Sequence, residues 1–212
     1  MNDDVDYWNR HARRYDRSML VLGRPVPRMV ALAGEAVRGM PRVLEVAAGT
    51  GILTTALARA AGEVVATDYS PAMVAMLGEK IRREGLPNVR CEQADLYALH
   101  FAPRSFDAVV AANVLHLVPD LPGAVAALRR ALKPGGRLVV PTFCHDETAI
   151  SWAASRVLAL TKFPGARRFT MNSLGLALEA EGLRVVRAEL LRGPIPIGYV
   201  DGKFEPSAGT PS

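Results

Sequence analysis

The chain has 212 residues, half of them hydrophobic and 22% charged, with a net charge of +5. That length suits one α/β domain with a sizeable core, and the composition excludes a disordered or fibrous chain. No apolar run reaches the roughly 18–20 residues that cross a bilayer, the acidic start Met1-Asn2-Asp3-Asp4 lacks a secretory h-region, and the two cysteines, Cys91 and Cys144, match neither a disulfide framework nor a zinc pattern.

In chain order, residues 5–22 read as a helix with Tyr7, Trp8, His11, Tyr15, Met19 and Leu22 on one face and arginines on much of the rest. A second helix is expected over 26–38, with Pro25 and Pro27 at its start. Val43 to Val46 reads as a short apolar strand, followed by the turn Ala47-Ala48-Gly49-Thr50-Gly51 and a helix that Gly62 ends. Val64 to Thr67 is the second strand, closed by Asp68, and Ser70-Pro71 opens the next helix. Val89 to Gln93 is the third strand, with Asp95 just beyond it. Phe106 to Asn113 is the fourth strand, with an unbroken apolar run from Ala108 to Ala112 suited to a strand buried on both faces. Leu121 to Leu132 is helical, and Arg137 to Phe143 is the fifth strand. Helices at 148–161 and 171–181 precede strands at 183–190 and 195–200, joined through Arg192-Gly193-Pro194 as a hairpin.

The alternation predicts a Rossmann-like, doubly wound, mostly parallel seven-stranded sheet whose last strands form an antiparallel hairpin, with helices added at the N-terminus. The expected organisation is an N-terminal helical cap over 1–38, a binding domain over 39–204 and a disordered tail over 205–212.

Open α/β sheets bind ligands at the carboxyl ends of their strands. Gly49 and Gly51 lie in the first strand-to-helix turn, where a ligand can approach the backbone closely. The turn departs from the dinucleotide fingerprint, because its third glycine would fall at Thr54. Glu45 stands just before it, where a carboxylate repels a phosphate and suits a cation. Asp68 is placed to accept both hydroxyls of a ribose. Asp95 is placed to accept from an adenine amino group, with the Ala94 and Leu96 backbones at the ring edge and Leu96, Met73 and Ile52 over its faces. The ligand these features describe is an adenosine with a positive tail and no phosphate, which S-adenosylmethionine fits.

Val43-Leu44-Glu45-Val46-Ala47-Ala48-Gly49-Thr50-Gly51 resembles motif I of the class I S-adenosylmethionine-dependent methyltransferases, with Ala47 in place of the first glycine. Asp68-Tyr69-Ser70-Pro71-Ala72-Met73 resembles the family's ribose segment and Ala94-Asp95-Leu96 its adenine segment. Phe106 to Val110 with Asn113 to His116 resembles motif IV, and Leu132 to Leu138 the strand-five motif. The opening Tyr7-Trp8 … Tyr15-Asp16 is similar to the quinone-biosynthesis subgroup and to small lipid and natural-product relatives. The resemblance implies methyl transfer by in-line displacement, with Glu45, Ala47, Gly49, Thr50, Gly51, Asp68, Tyr69, Met73, Ala94, Asp95, Leu96 and Asn113 around the cofactor.

Such chemistry needs proximity, alignment and water exclusion, and a general base only where the nucleophile carries a proton that must leave. The candidates for proton handling are His116, His145 (beside Asp146) and Tyr15; packing beside the cofactor is the other reading of His116. His11 and Tyr15 either close a lid or anchor the first helix. With no long insertion between strands, the expected acceptor is a small molecule: a soluble metabolite, or an amphiphile such as a quinone precursor or phospholipid headgroup engaged by the arginine-rich first helix at an anionic membrane. The arginines form no stripe, so no nucleic-acid partner is expected. A cytoplasmic or membrane-peripheral enzyme with no metal is the expectation. The alternatives are a nicotinamide-dependent oxidoreductase, which Thr54 and Asp95 disfavour, and a non-catalytic cofactor-binding module.

Overall fold

The computed structural model describes residues 5–12, 25–159 and 165–205. A helical segment at 5–12 (α1) precedes α2 (Pro25–Ala36), β1 (Arg42–Val46), α3 (Thr54–Ala60), β2 (Glu63–Asp68), α4 (Pro71–Glu84) and β3 (Val89–Gln93). There follow a 3-10 turn at Leu96–Ala98, then β4 (Phe106–Ala111), α5 (Leu121–Ala131), β5 (Leu132–Phe143), α6 (Ala149–Ala159), α7 (Met171–Ala180), β6 (Leu183–Leu191) and β7 (Ile197–Phe204). Tyr15, Met19 and Leu22 of the expected first helix, and nearly all of the expected tail, lie outside the described residues.

One seven-stranded sheet runs in the order β3-β2-β1-β4-β5-β7-β6. The β1, β2, β3, β4 and β5 pairings are parallel, and β7 is antiparallel to both β5 and β6. The antiparallel insertion follows from the short 192–196 connection, since a parallel return would need a crossover. Chain order reverses across β1 and β4, so the crevice beyond their carboxyl ends is the expected ligand position.

Two cores flank the sheet. Leu44, Val46, Val109 and Leu138 pack under α5 and α7, with Leu121, Val125, Leu128, Leu174 and Leu178 above them. On the other face Val43, Ala108, Val110 and Val139 meet Met29 and Leu32 of α2, Leu57 of α3 and Leu77 of α4. The alternation of side chains along a strand assigns neighbours such as Val43 and Leu44 to opposite cores.

Local chemistry sets the helix ends that frame the crevice. Ser70 caps α4 by accepting from Met73 N at 3.2 Å, with Pro71 in the first turn, and Gly85 (φ 62°) ends the helix in the left-handed conformation. Asp120 caps α5 by accepting from Gly123 N at 3.1 Å. The fifth strand begins earlier than expected, at Leu132, and the last runs Ile197–Phe204; two further boundaries differ at the crevice. The helix after Gly51 starts at Thr54, because Gly49 (φ 57°) and Gly51 (φ 84°) hold the turn outside helical geometry. The fourth strand stops at Ala111, because Asn113 takes a φ of 51° and its N–H leaves the ladder for Pro141 O at 2.7 Å.

Candidate cofactor site

A cavity of about 380 Å³ opens at the carboxyl ends of β1, β2 and β4. Val46, Ala47 and Gly49 form its floor. Thr67, Asp68, Tyr69 and Met73 line one side; Ala94, Asp95, Leu96 and Tyr97 line the end beyond β3. Ala112, Asn113 and Val114 lie past β4, and Leu117, Val118 and Pro119 complete the wall. Trp8 reaches in from α1. No lysine or arginine lines the cavity among the described residues, whereas two carboxylates do.

Asp68 organises the first turn. Its Oδ2 accepts from Gly49 N at 2.8 Å and its Oδ1 from Ser70 N at 2.9 Å. Burial raises its pKa, and the backbone hydrogen bonds from Ser70 and Gly49 oppose that shift. Each carboxylate oxygen carries two lone pairs, so both keep a site for a ribose hydroxyl after those bonds are made. Asp95 Oδ1 accepts from Tyr97 N at 2.9 Å and caps the 3-10 turn. The Ala94 N–H, expected at an adenine edge, instead donates to Asp68 O at 3.1 Å. Met73 and Leu96 do line the cavity; Ile52 packs with the core on the α2–α3 face and takes no part in the lining.

Three residues expected around the cofactor, Glu45, Thr50 and Gly51, fall outside the lining. Alternation along β1 turns Glu45 to the same face as Val43, toward α3. There Thr54 Oγ1 donates to Glu45 Oε2 at 2.6 Å, and the carboxyl group is 1% exposed. Burial pushes its pKa up to about 7, against the lowering effects of the Thr54 hydrogen bond and the charge of Lys80. Lys80 Nζ donates to Gly51 O, which ties the glycine turn to α4. A Cβ at Gly51 would come within 2.6 Å of Leu77 Cδ1. Ala47 sits at φ 51°, which disfavours a side chain and accounts for the glycine in the motif it departs from.

The sequence reading missed Trp8, Asn9 and Tyr97. Asn9 Oδ1 accepts from Ser70 Oγ at 2.6 Å and from Ala72 N at 3.4 Å, pinning α1 to the N-terminus of α4. That anchor puts Trp8 into the cavity wall, while His11 stacks on Tyr7 with ring centroids 4.1 Å apart. Placing Trp8 on the same face as Tyr7 was the available signal; which residue would enter the site depends on the Asn9 anchor, to which helical spacing is blind.

His116 and His145 are brought together, with ring centroids 5.5 Å apart, and Phe143 stands edge-on to His116 at 5.8 Å. Both are buried, and neither lines the cavity. Burial, and next the proximity of His145, push the His116 pKa down to about 3, so its imidazole is neutral and weakly basic. Burial also lowers the pKa of His145, and the charge of Arg168 acts in the same direction. Cys144 is buried, and burial pushes its thiol up to about 12.

Residues 44–140 match the family model described as a methyltransferase domain. The chain is 36% identical over 148 residues to the ubiquinone/menaquinone biosynthesis C-methyltransferase UbiE of Teredinibacter turnerae, a match spanning 66% of this chain and 59% of that protein. It is 41% identical over 168 residues to the protein of the same name from Erwinia tasmaniensis, covering 73% of this chain and 67% of that one. The chain belongs to the class I S-adenosylmethionine-dependent methyltransferases. An S-adenosylmethionine-dependent methyltransferase from Aquifex aeolicus shares the fold, with a TM-score of 0.70 at 24% identity over 91% of this chain and 97% of that one. Family membership brings S-adenosylmethionine as the cofactor, and the cavity suits it. Its volume lies at the lower end of the roughly 300–1,000 Å³ range of small-molecule sites, and a phosphate-free, cationic ligand meets two carboxylates and no basic side chain among the described lining residues.

Proposed function

We propose that the protein methylates a ring carbon of a small, quinone-type aromatic acceptor. The observation that carries the cofactor half of the reading is the cavity at the glycine turn, whose described lining residues include two carboxylates and no lysine or arginine. The names of the relatives, which are C-methyltransferases of quinone biosynthesis, supply the acceptor class. When bound, S-adenosylmethionine supplies a methyl group activated by a sulfonium.

The residues of this chain bind and orient. Asp68 holds the ribose hydroxyls, Asp95 the adenine amino group, and Met73 and Leu96 cover the ring. Ala47 and Gly49 give the methionine end its backbone floor, with Tyr69 and Asn113 completing the sides; Glu45, Thr50 and Gly51 support that floor from below. Trp8 excludes water from the mouth, and a dry site strengthens the electrostatic contacts inside it. His116 and His145 pack as a buried pair behind the cavity, outside its lining. An acceptor phenol would lose its proton to solvent before the ring carbon attacks, and the ring C–H proton would then return to that oxygen, so the reading needs no general base from the described residues. Peripheral contact with an anionic membrane through the first helix belongs to the same reading. Arg10 is exposed there, and Arg13, Arg14 and Arg17 lie outside the described residues.

The test uses methyl-labelled S-adenosylmethionine with reduced quinones, simple phenols and amines, offered in detergent and in anionic vesicles. Label appearing on a ring carbon of the reduced quinone supports the proposal. Label confined to amines, or to oxygen, overturns the acceptor assignment and leaves the cofactor site standing.

A further inference from the structure

Tyr97 occupies a position that neither the family match nor the cofactor reading assigns a task. Its ring lines the cavity beyond Asp95, yet the residue is 41% exposed, so it sits at the rim and not in the core. The phenol bridges two elements far apart in sequence. Tyr97 Oη donates to Asp120 O at 2.9 Å and accepts from Asp120 N at 3.1 Å. A single hydroxyl thus satisfies both backbone groups of the residue that caps α5.

The far side of the same wall is already held. Arg167 donates from Nη1 to Val118 O and from Nη2 to Pro119 O, the latter at 2.9 Å. The backbone N–H groups of Ala166 and Arg167 both donate to His116 O. The wall loop is therefore strapped from outside by Arg167 and clasped at the cavity rim by Tyr97. At the other end of Tyr97, its own N–H donates to Asp95 Oδ1. A continuous path of hydrogen bonds runs from Asp95, through Tyr97, to Asp120 and the start of α5.

We propose that Tyr97 is a latch: a positioning residue that ties the adenine-recognising carboxylate to the Val118–Asp120 wall and so sets how long an adenosine ligand stays in the cavity. The proposal rests on the cofactor reading above. Asp95 caps the 3-10 turn, the turn holds the phenol against Asp120, and the rim of the wall at Asp120 opens only when those two hydrogen bonds break. The latch acts on the adenosine end and is indifferent to the tail that carries the methyl group.

Tyr97→Phe keeps the ring and removes both hydroxyl bonds. Stopped-flow and calorimetric measurements on the full chain, with S-adenosylhomocysteine and with 5′-methylthioadenosine, read the effect. The expected result is a dissociation rate raised about five- to tenfold for both ligands, the scale of one or two neutral hydrogen bonds, with the binding stoichiometry unchanged and only a small fall in the melting temperature of the ligand-free protein, in which the same two bonds are present. An unaltered dissociation rate overturns the latch. So does a loss that appears as a smaller active fraction with normal kinetics, which would mark Tyr97 as structural only. Wild-type protein that binds neither ligand would instead remove the cofactor reading beneath it.

Discussion

Replacing Asp68 by alanine is expected to weaken S-adenosylmethionine binding at least about 100-fold, or ~2.7 kcal/mol. The carboxylate is the junction of the site: Gly49 N and Ser70 N both donate to it, and its remaining lone pairs face the cavity. Alanine removes the ribose acceptor and frees the glycine turn at once. Each hydrogen bond to a charged acceptor is worth about 1.5–3 kcal/mol, so two lost ribose bonds account for the effect without any change in fold. Asp68→Asn keeps one acceptor oxygen and should fall between the two proteins. Calorimetric titration checks the series, and equal affinity in wild type and Asp68→Ala would place the nucleoside elsewhere.

Glu45→Gln is expected to flatten the dependence of stability on pH. The folded-state pKa of Glu45 is raised from 4.5 to about 7, chiefly by burial. An acid whose folded pKa is raised contributes stability that is fully present below the unfolded value and is lost as pH rises through the folded value. Between pH 5 and pH 8 the wild type should therefore lose about 2–3 kcal/mol from this group, at about 1.4 kcal/mol for each tenfold change in its acid dissociation constant. Glutamine does not titrate, and its side-chain oxygen still accepts from Thr54. The measurement is the difference between the unfolding free energies of the two proteins at each pH, in which the other titrating groups cancel. A difference that stays constant from pH 5 to pH 8 would mean that Glu45 is ionised throughout, with its burial offset by Lys80.

Much of the fold was legible because its signals are local and periodic. Val43 to Val46 and Ala108 to Ala111 are apolar runs between turn residues, as strands buried on both faces must be. The 192–196 link is too short for anything but an antiparallel return, so the β6–β7 pairing was legible, whereas the placement of β7 beside β5 was not. Ser70-Pro71 and Gly85 are helix signals whose mechanism is a cap, and both ends fell where those residues stand.

The candidate site was legible at Asp68, Asp95, Met73, Leu96 and Gly49, which all line the cavity, because strand ends in this topology converge on one crevice. What sequence order could not carry was direction and long-range pairing. Glu45 lies one residue from the lining residue Val46, yet alternation sends its side chain to Thr54 beneath the turn. Ile52 stands beside the glycine turn and packs away from it for a similar reason. Trp8 enters through Asn9 bonding to a helix start some sixty residues on, and Tyr97 acts through Asp120; neither pairing leaves a periodic trace. His116 and His145 lie in the loops after β4 and β5 and meet as a buried pair, a contact that sequence order does not show.

In the proposed reading, the crevice above β1 and β4 seats an adenosine with a cationic tail. The most direct test is calorimetric titration of the same protein preparation with S-adenosylmethionine and with reduced nicotinamide adenine dinucleotide. One-to-one binding of the sulfonium compound is expected, with no heat of binding from the dinucleotide. Saturable binding of the dinucleotide, with none of S-adenosylmethionine, would contradict it.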